Sequence, residues 1–414
     1  MTVTTRLGAI KDMLNVDVLV VGAGPAGSAA ARVLAGAGLR VLLTDRHAFP
    51  RDKVCGDALI PDSLAALATL GLRDRVNGAA CVSRVIRIYA PDGEYAEVRG
   101  ECAALPRSAF DELLVSGAIE AGAQFMPHLK ALGALESDGV VQGARFEHVS
   151  TRERVAVHAR STILATGAAG DALKQFGVCE EPSPSAMAAR LYVRVPQSVA
   201  DDHDYLAISY PAAICPGYGW VFPGPGCVFN VGIGYLRDAR LQPAQRNLRL
   251  LFQQFVRAFP PAREIMAAGE VLTTLKGAPL RTGLRGSRLS RPGLLVVGEA
   301  AGLTYSFTGE GIGKALQSGI AAASAILDVR GSAEDECRRT AQAYAKRIRR
   351  DFGERFAAYR RLERLLSYPR IVNLLIRRAN AGHYVRAQLE ALINETGRPD
   401  GLLSPIGALR ALLS

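Results

Sequence analysis

The sequence predicts an α/β protein: a doubly wound parallel sheet, interleaved with an antiparallel β-sheet domain and followed by a helical C-terminal segment. Three observations carry the prediction. Val16 to Asp45 reads as one βαβ unit of strand, glycine turn, helix and strand. The same order of strand, glycine turn and helix returns far downstream, between Arg291 and Ala325. Between the two lie strand-rich, glycine-rich stretches with no low-complexity linker, so the domains interleave rather than follow one another.

Val16–Val21, apolar but for Asp17, has the length of a buried strand. It leads at once into Gly22-Ala23-Gly24-Pro25-Ala26-Gly27 and an alanine-rich helix over Ser28–Ala37, with Gly38 as its C-cap. A second strand, Arg40 to Thr44, ends at Asp45. Cys81 to Gly100 reads as strands, Ser108 to Gly122 as a helix, and Phe125 to Thr162 as strands that turn at Asp138-Gly139. Ser161 to Gly167 is a buried strand closing on glycine, Tyr205 to Gly234 is strand-rich again, and from Glu334 onward the pattern is helical. The doubly wound domain is therefore expected over 1–80, 103–182 and 276–330, the antiparallel sheet domain over 81–102 and 183–275, and the helical segment over 331–414.

Composition excludes several classes. With 414 residues, 49% hydrophobic and 21% charged, the chain is long enough for two or three domains and unlike disordered or collagenous sequences. No apolar run approaches the 18 or so residues that cross a bilayer, so a cytoplasmic protein is expected. The seven cysteines include no CxxC, and the six histidines no HExxH, which argues against a metal centre. The net charge of +11 is local: Arg338 to Arg378 holds thirteen Lys or Arg against Asp351, Glu354 and Glu363. No nucleic-acid-binding motif accompanies that basic stretch, so nucleic acid is not an expected partner.

The glycine turn is more than a GxGxxG match, because a strand precedes it, a helix follows it and Asp45 closes the second strand. Gly22 permits the tight turn, Gly24 leaves room for a pyrophosphate, and Gly27 lets helix and sheet approach; the helix N-terminus supplies N–H donors and positive potential. Asp45 is placed to accept from ribose hydroxyls. A second glycine site supports a long cofactor: Leu294 to Val297 is a strand ending in Gly298-Glu299, and Thr308-Gly309-Glu310-Gly311-Ile312-Gly313 opens a helix. A flavin adenine dinucleotide spans both, with its pyrophosphate at Gly22–Gly27, its ribityl chain at Glu299 and the flavin ring at the amides of Gly309 to Ile312.

These motifs, together with Asp45-Arg46, Arg107-Ser108-Ala109-Phe110-Asp111 and Ala165-Thr166-Gly167, resemble FAD enzymes of the para-hydroxybenzoate hydroxylase fold. Within that superfamily the chain is most similar to the geranylgeranyl reductase family. Lys53-Val54-Cys55-Gly56 resembles its KxCG motif, and Pro216-Gly217-Tyr218-Gly219-Trp220-Val221-Phe222-Pro223 its PGYxWxFP motif. The resemblance implies a Rossmann-like FAD-binding domain whose cofactor site comprises Gly22, Gly24, Pro25, Ala26, Gly27, Asp45, Arg46, Lys53, Cys55, Gly56, Arg107, Leu129, Thr166, Gly167, Gly298, Glu299, Gly309, Gly311 and Ile312. It implies Cys55, Asp57, Tyr218 and Trp220 as the catalytic set, and reduction of carbon–carbon double bonds in an isoprenoid or other hydrophobic substrate, with NAD(P)H or a redox partner as external reductant. Two positions depart from the family: Glu299 stands where an aspartate is usual and Ser306 where a proline is usual.

Other activities of the fold stay open. Thr166-Gly167-Ala168 lacks the Asp-Gly and following Arg of aromatic hydroxylases, and a single Trp excludes the WxWxIP of halogenases. Pro50-Arg51-Asp52-Lys53 through Leu59-Ile60-Pro61 nevertheless echoes a loop of halogenases that act on carrier-bound substrates. A monooxygenase, dehydrogenase or halogenase acting on a specialised metabolite is the alternative, and a flavin-dependent protein-maturation factor a second one. Two further expectations concern packing. Tyr218, Trp220 and Phe222 alternate along a strand and so share one face. Tyr344, Ile348, Phe352, Phe356, Tyr359, Leu362 and Leu366 form an apolar stripe expected to pack on the substrate domain or roof the pocket, leaving Arg347, Arg349, Arg350, Arg355, Arg360, Arg361 and Arg364 outward. That basic face would attract an anionic membrane surface or an acidic carrier protein, making the protein peripherally membrane-associated.

Overall fold

The computed structural model describes residues 15–180, 184–215, 217–236, 247–284, 286, 288–306, 308–329, 335–397, 401, 404, 407 and 410. Of the motif residues above, Pro216 lies outside this set.

The first sheet is parallel at its centre. Asn15–Val21 lies between Val41–Thr44 and Arg154–Leu164, with Gln124–Met126 beyond the former and Leu294–Val296 beyond the latter, all in parallel register. From Val18 to Val21 the central strand is buried on both faces, which is why that stretch runs apolar without alternating. Helices Pro25–Gly36 and Ile312–Val329 cover it and touch each other closely: a Cβ on Gly319 would collide with the Ala26 carbonyl. A hairpin of Leu129–Ser137 and Val140–His148 extends from Arg154–Leu164. Its turn has φ of 52° at Asp138 and 75° at Gly139, the left-handed pair that an Asp-Gly hairpin adopts.

The second sheet has nine strands and is antiparallel apart from one pair. The hairpin Cys81–Tyr89 and Tyr95–Ala104 comes from one excursion of the chain; Ala186–Arg194, Leu206–Ser209, Gly217–Gly224 and Val228–Leu236 come from another. The two groups meet edge to edge through Leu206–Ser209 and Cys81–Tyr89, which run parallel. The domain boundaries also shift. Lys276–Leu280, expected in the FAD domain, pairs with Ala186–Arg194, and Ala58–Leu59 pairs with Tyr95–Ala104. Backbone pairing places both segments in this sheet, and the sequence Lys276-Gly277-Ala278-Pro279-Leu280 has no strand periodicity by which to recognise it.

One face of the second sheet, bearing Val221, Val231 and Ile233, packs under Leu248–Ala258 and Pro260–Ala268. The opposite face carries Trp220 and Phe222 toward the FAD domain. The C-terminal helices are Glu336–Leu366, Pro369–Ala381 and His383–Ile393, the first ending where Pro369 must start a new helix. The apolar stripe corrects the expectation in part. Tyr344, Ile348, Phe352, Phe356 and Tyr359 join the core of the FAD domain, where the Tyr344 hydroxyl donates to the Val296 carbonyl at 2.6 Å and Tyr305 stacks on Tyr359 at 4.0 Å. Only Tyr359, Leu362 and Leu366 reach the cavity described below.

Candidate active site

The carboxyl ends of the parallel strands converge. The Gly22 amide donates to Thr44 O at 2.8 Å, Ala165 N to Val21 O at 2.8 Å, and Val297 N to Leu164 O at 3.0 Å. Gly22, Thr166-Gly167 and Gly298-Glu299 thus stand side by side at the crevice where ligands of open α/β sheets bind. A Cβ at Gly167 would lie 3.4 Å from Glu299 Oε2, and Lys53 Nζ is 3.6 Å from the same oxygen. Thr166 Oγ1 is buried with no hydrogen-bond partner in the protein. An orphaned hydroxyl beside an open glycine turn and a lysine–glutamate pair fits a flavin adenine dinucleotide laid across these strand ends.

Other expected cofactor residues serve the fold as well. Asp45 is 8% exposed; its Oδ2 accepts from Ala23 N at 3.0 Å and its Oδ1 from His47 N at 2.9 Å, so the carboxylate ties the second strand to the glycine turn. Arg46 is exposed. Leu129 is a core side chain whose amide donates to Asp45 O at 2.9 Å. Arg107 is buried and bidentate to Asp111, with both contacts at 2.8 Å, and Arg51 reaches the same carboxylate at 3.2 Å.

Beside this crevice lies a cavity lined mostly by apolar and aromatic side chains. The FAD domain supplies Cys55, Gly56, Asp57 and Gly309 to Ile312; the second sheet supplies Ile86, Leu206, Tyr218, Trp220 and Phe222; and the C-terminal helices supply Leu366, Val372, Ile376 and Leu392. Three elements distant in sequence enclose it. Tyr218, Trp220 and Phe222 share the wall, as their alternation requires, with ring centroids 5.7 and 6.3 Å apart. The Tyr218 hydroxyl donates to Thr308 O at 2.7 Å, which fixes the start of the glycine turn against the sheet. Burial raises the Tyr218 pKa, so the phenol stays protonated.

Cys55 and Asp57 sit on the loop that enters the cavity. Burial also raises the Cys55 thiol's pKa, with Arg107 opposing, so a protonated thiol stands within the field of a guanidinium that would favour its thiolate. Asp57 has φ of 68° and is 2% exposed. Its Oδ2 accepts from the Tyr192 hydroxyl at 2.6 Å and from Asn230 Nδ2 at 2.7 Å, and its Oδ1 from Arg107 N at 3.3 Å. Asn230 also donates to Cys55 O at 2.7 Å and accepts from Trp220 Nε1 at 2.8 Å. Asp57 is therefore an acceptor that ties the Cys55 loop to the second sheet. Tyr192 and Asn230 were missed in the sequence, although a polar residue inside an apolar strand such as Val228–Leu236 was an available signal.

Burial pushes Asp57 up to about 6, against the lowering effect of its hydrogen bonds. A carboxyl whose folded pKa exceeds its unfolded value contributes its full stability below about pH 4 and loses it as pH rises through 6. Asp57→Asn, which tolerates the left-handed backbone, is expected to gain about 3 kcal/mol relative to the wild type between pH 4 and pH 7.5. Any fixed loss at the Arg107 amide leaves that slope unchanged. Parallel urea titrations at the two pH values measure it, and equal slopes for both proteins would show that the native carboxyl is unperturbed.

A buried charge cluster flanks the cavity. Lys314 Nζ lies 2.6 Å from Asp62 Oδ2, 3.2 Å from Glu395 Oε2 and 3.9 Å from Glu310 Oε2, and Arg355 pairs with Glu395. Glu310 Oε1 accepts from Gly313 N at 2.9 Å. Burial, with Asp62 adding to it, pushes Glu310 up to about 7. Arg355, expected outward, is thus engaged inward, and Arg360 Nη1 donates to Gly283 O at 3.0 Å. Arg349, Arg350, Arg361 and Arg364 are exposed. Among the described residues no helix is long and apolar enough to cross a membrane, and no cluster of metal-ligating side chains occurs.

Comparison with known proteins agrees with this geometry. Residues 15–214 match the FAD binding domain family. The chain is 31% identical over 370 residues to a menaquinone reductase of Mycolicibacterium smegmatis, covering 86% of each chain. It is 31% identical over 347 residues to a digeranylgeranylglycerophospholipid reductase of Methanopyrus kandleri, covering 83% of this chain and 87% of that one. Its fold superposes on a geranylgeranyl bacteriochlorophyll reductase-like protein of Thermoplasma acidophilum with a TM-score of 0.76 at 24% identity over 96% of both chains. The FAD binding domain match and the relatives that share most of its length place the chain in the geranylgeranyl reductase family of FAD-dependent oxidoreductases.

Proposed function

We propose that the protein reduces carbon–carbon double bonds of an isoprenoid-bearing, hydrophobic substrate held in the cavity beside the flavin crevice. The observation that carries this reading is the cavity lining: Tyr218, Trp220 and Phe222 share it with Leu366, Val372 and Ile376, so the space is bounded almost wholly by aromatic and aliphatic side chains. Bound FAD, once reduced by NAD(P)H or a redox partner, supplies hydride. The chain's own residues must then exclude water, orient the alkene and deliver a proton to the second carbon. Cys55 is the donor: its thiol is protonated, it lines the cavity, and Arg107 steadies the thiolate left behind. Asp57, Asn230 and Tyr192 hold the loop that positions it.

The test is anaerobic. Dithionite-reduced enzyme mixed with a prenylated substrate should regain its oxidised flavin spectrum without oxygen, and the product should have gained two hydrogens per double bond. Reoxidation that requires oxygen and yields an oxygenated or halogenated product would sink the reading in favour of an oxygenase or halogenase.

Delivery of such a substrate is proposed to occur at an anionic membrane surface. The turn between the helices ending at Leu366 and starting at Pro369 exposes Leu365, Tyr368 and Leu374 at 40, 55 and 41%, flanked by exposed Arg361, Arg364, Arg370 and Arg377. Leu366 and Val372, in the same stretch, line the cavity. Co-sedimentation with phosphatidylglycerol vesicles is expected at low salt. It should fall at least tenfold in a variant carrying Arg349→Glu, Arg350→Glu, Arg361→Glu and Arg364→Glu, and also as salt shortens the Debye length. Binding indifferent to both would leave the basic face without a role at membranes.

A further inference from the structure

Among the described residues, the cavity is lined by Asp57, Glu310 and Glu395 and by no lysine, arginine or histidine. The remaining lining is apolar, aromatic or small. The two cations behind its polar side, Lys314 and Arg355, are already held by carboxylates. A phosphate placed there would be stripped of water and set against carboxylates in a medium of low dielectric constant, with no cation among the described lining residues to receive it.

The same side of the cavity carries two orphaned polar atoms. Glu310 Oε2 and the Tyr305 hydroxyl are buried without a hydrogen-bond partner, in side chains 9% and 1% exposed. Both residues line the cavity. Lys314 Nζ, 3.9 Å from Glu310 Oε2, is too far to hydrogen-bond it. Leaving such groups without a hydrogen bond is unfavourable, and a purely hydrocarbon ligand would leave them so. An uncharged oxygen on the ligand satisfies both: a hydroxyl donates to Glu310 and accepts from Tyr305, and a carbonyl accepts from Tyr305 and from Glu310 when it is protonated.

We infer that the cavity takes a hydrophobic molecule whose uncharged carbonyl or hydroxyl oxygen is hydrogen-bonded by Glu310 and Tyr305, and that it discriminates against phosphorylated prenyl chains. This deepens the reductase reading and rests on it for the site, though not for turnover. The test is binding to the oxidised holoenzyme, followed by perturbation of the flavin spectrum. The probes are geranylgeraniol for the hydroxyl, a prenylated naphthoquinone for the carbonyl, geranylgeranyl diphosphate for the anion and squalene for the bare hydrocarbon. At least one of the first two should bind about tenfold more tightly than either of the last two, and Tyr305→Phe and Glu310→Gln should each erase most of that advantage over squalene. Tyr305→Phe retains the ring stacked on Tyr359, so it tests the hydroxyl rather than the packing. Diphosphate binding as tight as the alcohol, squalene binding as tight as the oxygenated probes, or discrimination unchanged in both variants would overturn the inference. Because no turnover is measured, a protein that shows the expected selectivity but reduces nothing overturns only the reductase reading.

Discussion

Gly24→Ala is expected to give a folded protein that binds flavin about a hundredfold more weakly, whereas Gly27→Ala is expected to compromise the fold itself. The two glycines are three residues apart in one turn, yet the space around them differs. Gly24 has φ of −74° and ψ of −174°, a backbone open to any residue, and a Cβ there meets nothing closer than the end of Arg51, at 3.6 Å. What the added carbon would obstruct is the approach of a pyrophosphate to the helix N-terminus. At Gly27 a Cβ would overlap the Gly22 carbonyl oxygen and press on Val20, so the helix would have to leave the sheet. Thermal unfolding of the flavin-free proteins and flavin absorbance separate the outcomes: for Gly24→Ala, an apoprotein melting point within about 2 °C of the wild-type apoprotein with the yellow colour lost, and little folded protein for Gly27→Ala. Unchanged flavin affinity in Gly24→Ala would remove the pyrophosphate from this turn.

This contrast also shows how much was legible in the sequence. The glycine turn, the strand ends at Thr166-Gly167 and Gly298-Glu299, and the Tyr218–Trp220–Phe222 wall are local patterns, each readable within a few residues because strand and helix periodicity dictate which side chains share a face. The network around Asp57 is not local. Its partners Tyr192 and Asn230 stand 135 and 173 positions away, brought in only when the second sheet closes on the FAD domain. The second sheet's boundaries were equally hidden, since Lys276–Leu280 is recruited by backbone pairing and carries no apolar alternation. Arg355 and Arg360 read as outward-facing because long charged side chains on a helix usually are; the carboxylate and carbonyl that draw them inward belong to other segments. Lys314 did leave a trace, as a charge in the first turn of a mostly apolar helix.

Lys314→Met is expected to destabilise the protein by about 3–5 kcal/mol at pH 8, the magnitude seen when one partner is removed from a buried ion pair. Lys314 is 2% and Asp62 3% exposed, so water cannot replace the lost ammonium. Burial opposes the charge on Lys314, yet Glu310 and Asp62 outweigh it and raise its pKa, as expected of a cation stabilised by surrounding carboxylates. Without it, Asp62, Glu310 and Glu395 face one another with Arg355 as the remaining cation of the cluster. The native pKa of Glu310, already pushed up to about 7, must then rise further above that of the unfolded chain. A carboxyl of raised pKa contributes its stability at low pH and loses it as pH rises through the folded pKa, so Glu310 should make the deficit of the variant shrink between pH 8 and pH 5. Replacing both partners, as Lys314→Met with Asp62→Leu, should recover part of the loss, because the uncompensated charge is removed along with the cation. Chemical unfolding of the three proteins at both pH values decides the matter. A single variant within 1 kcal/mol of wild type at pH 8, or a deficit that does not diminish toward pH 5, would mean that the cluster is solvated and that the polar side of the cavity is not held by buried charge.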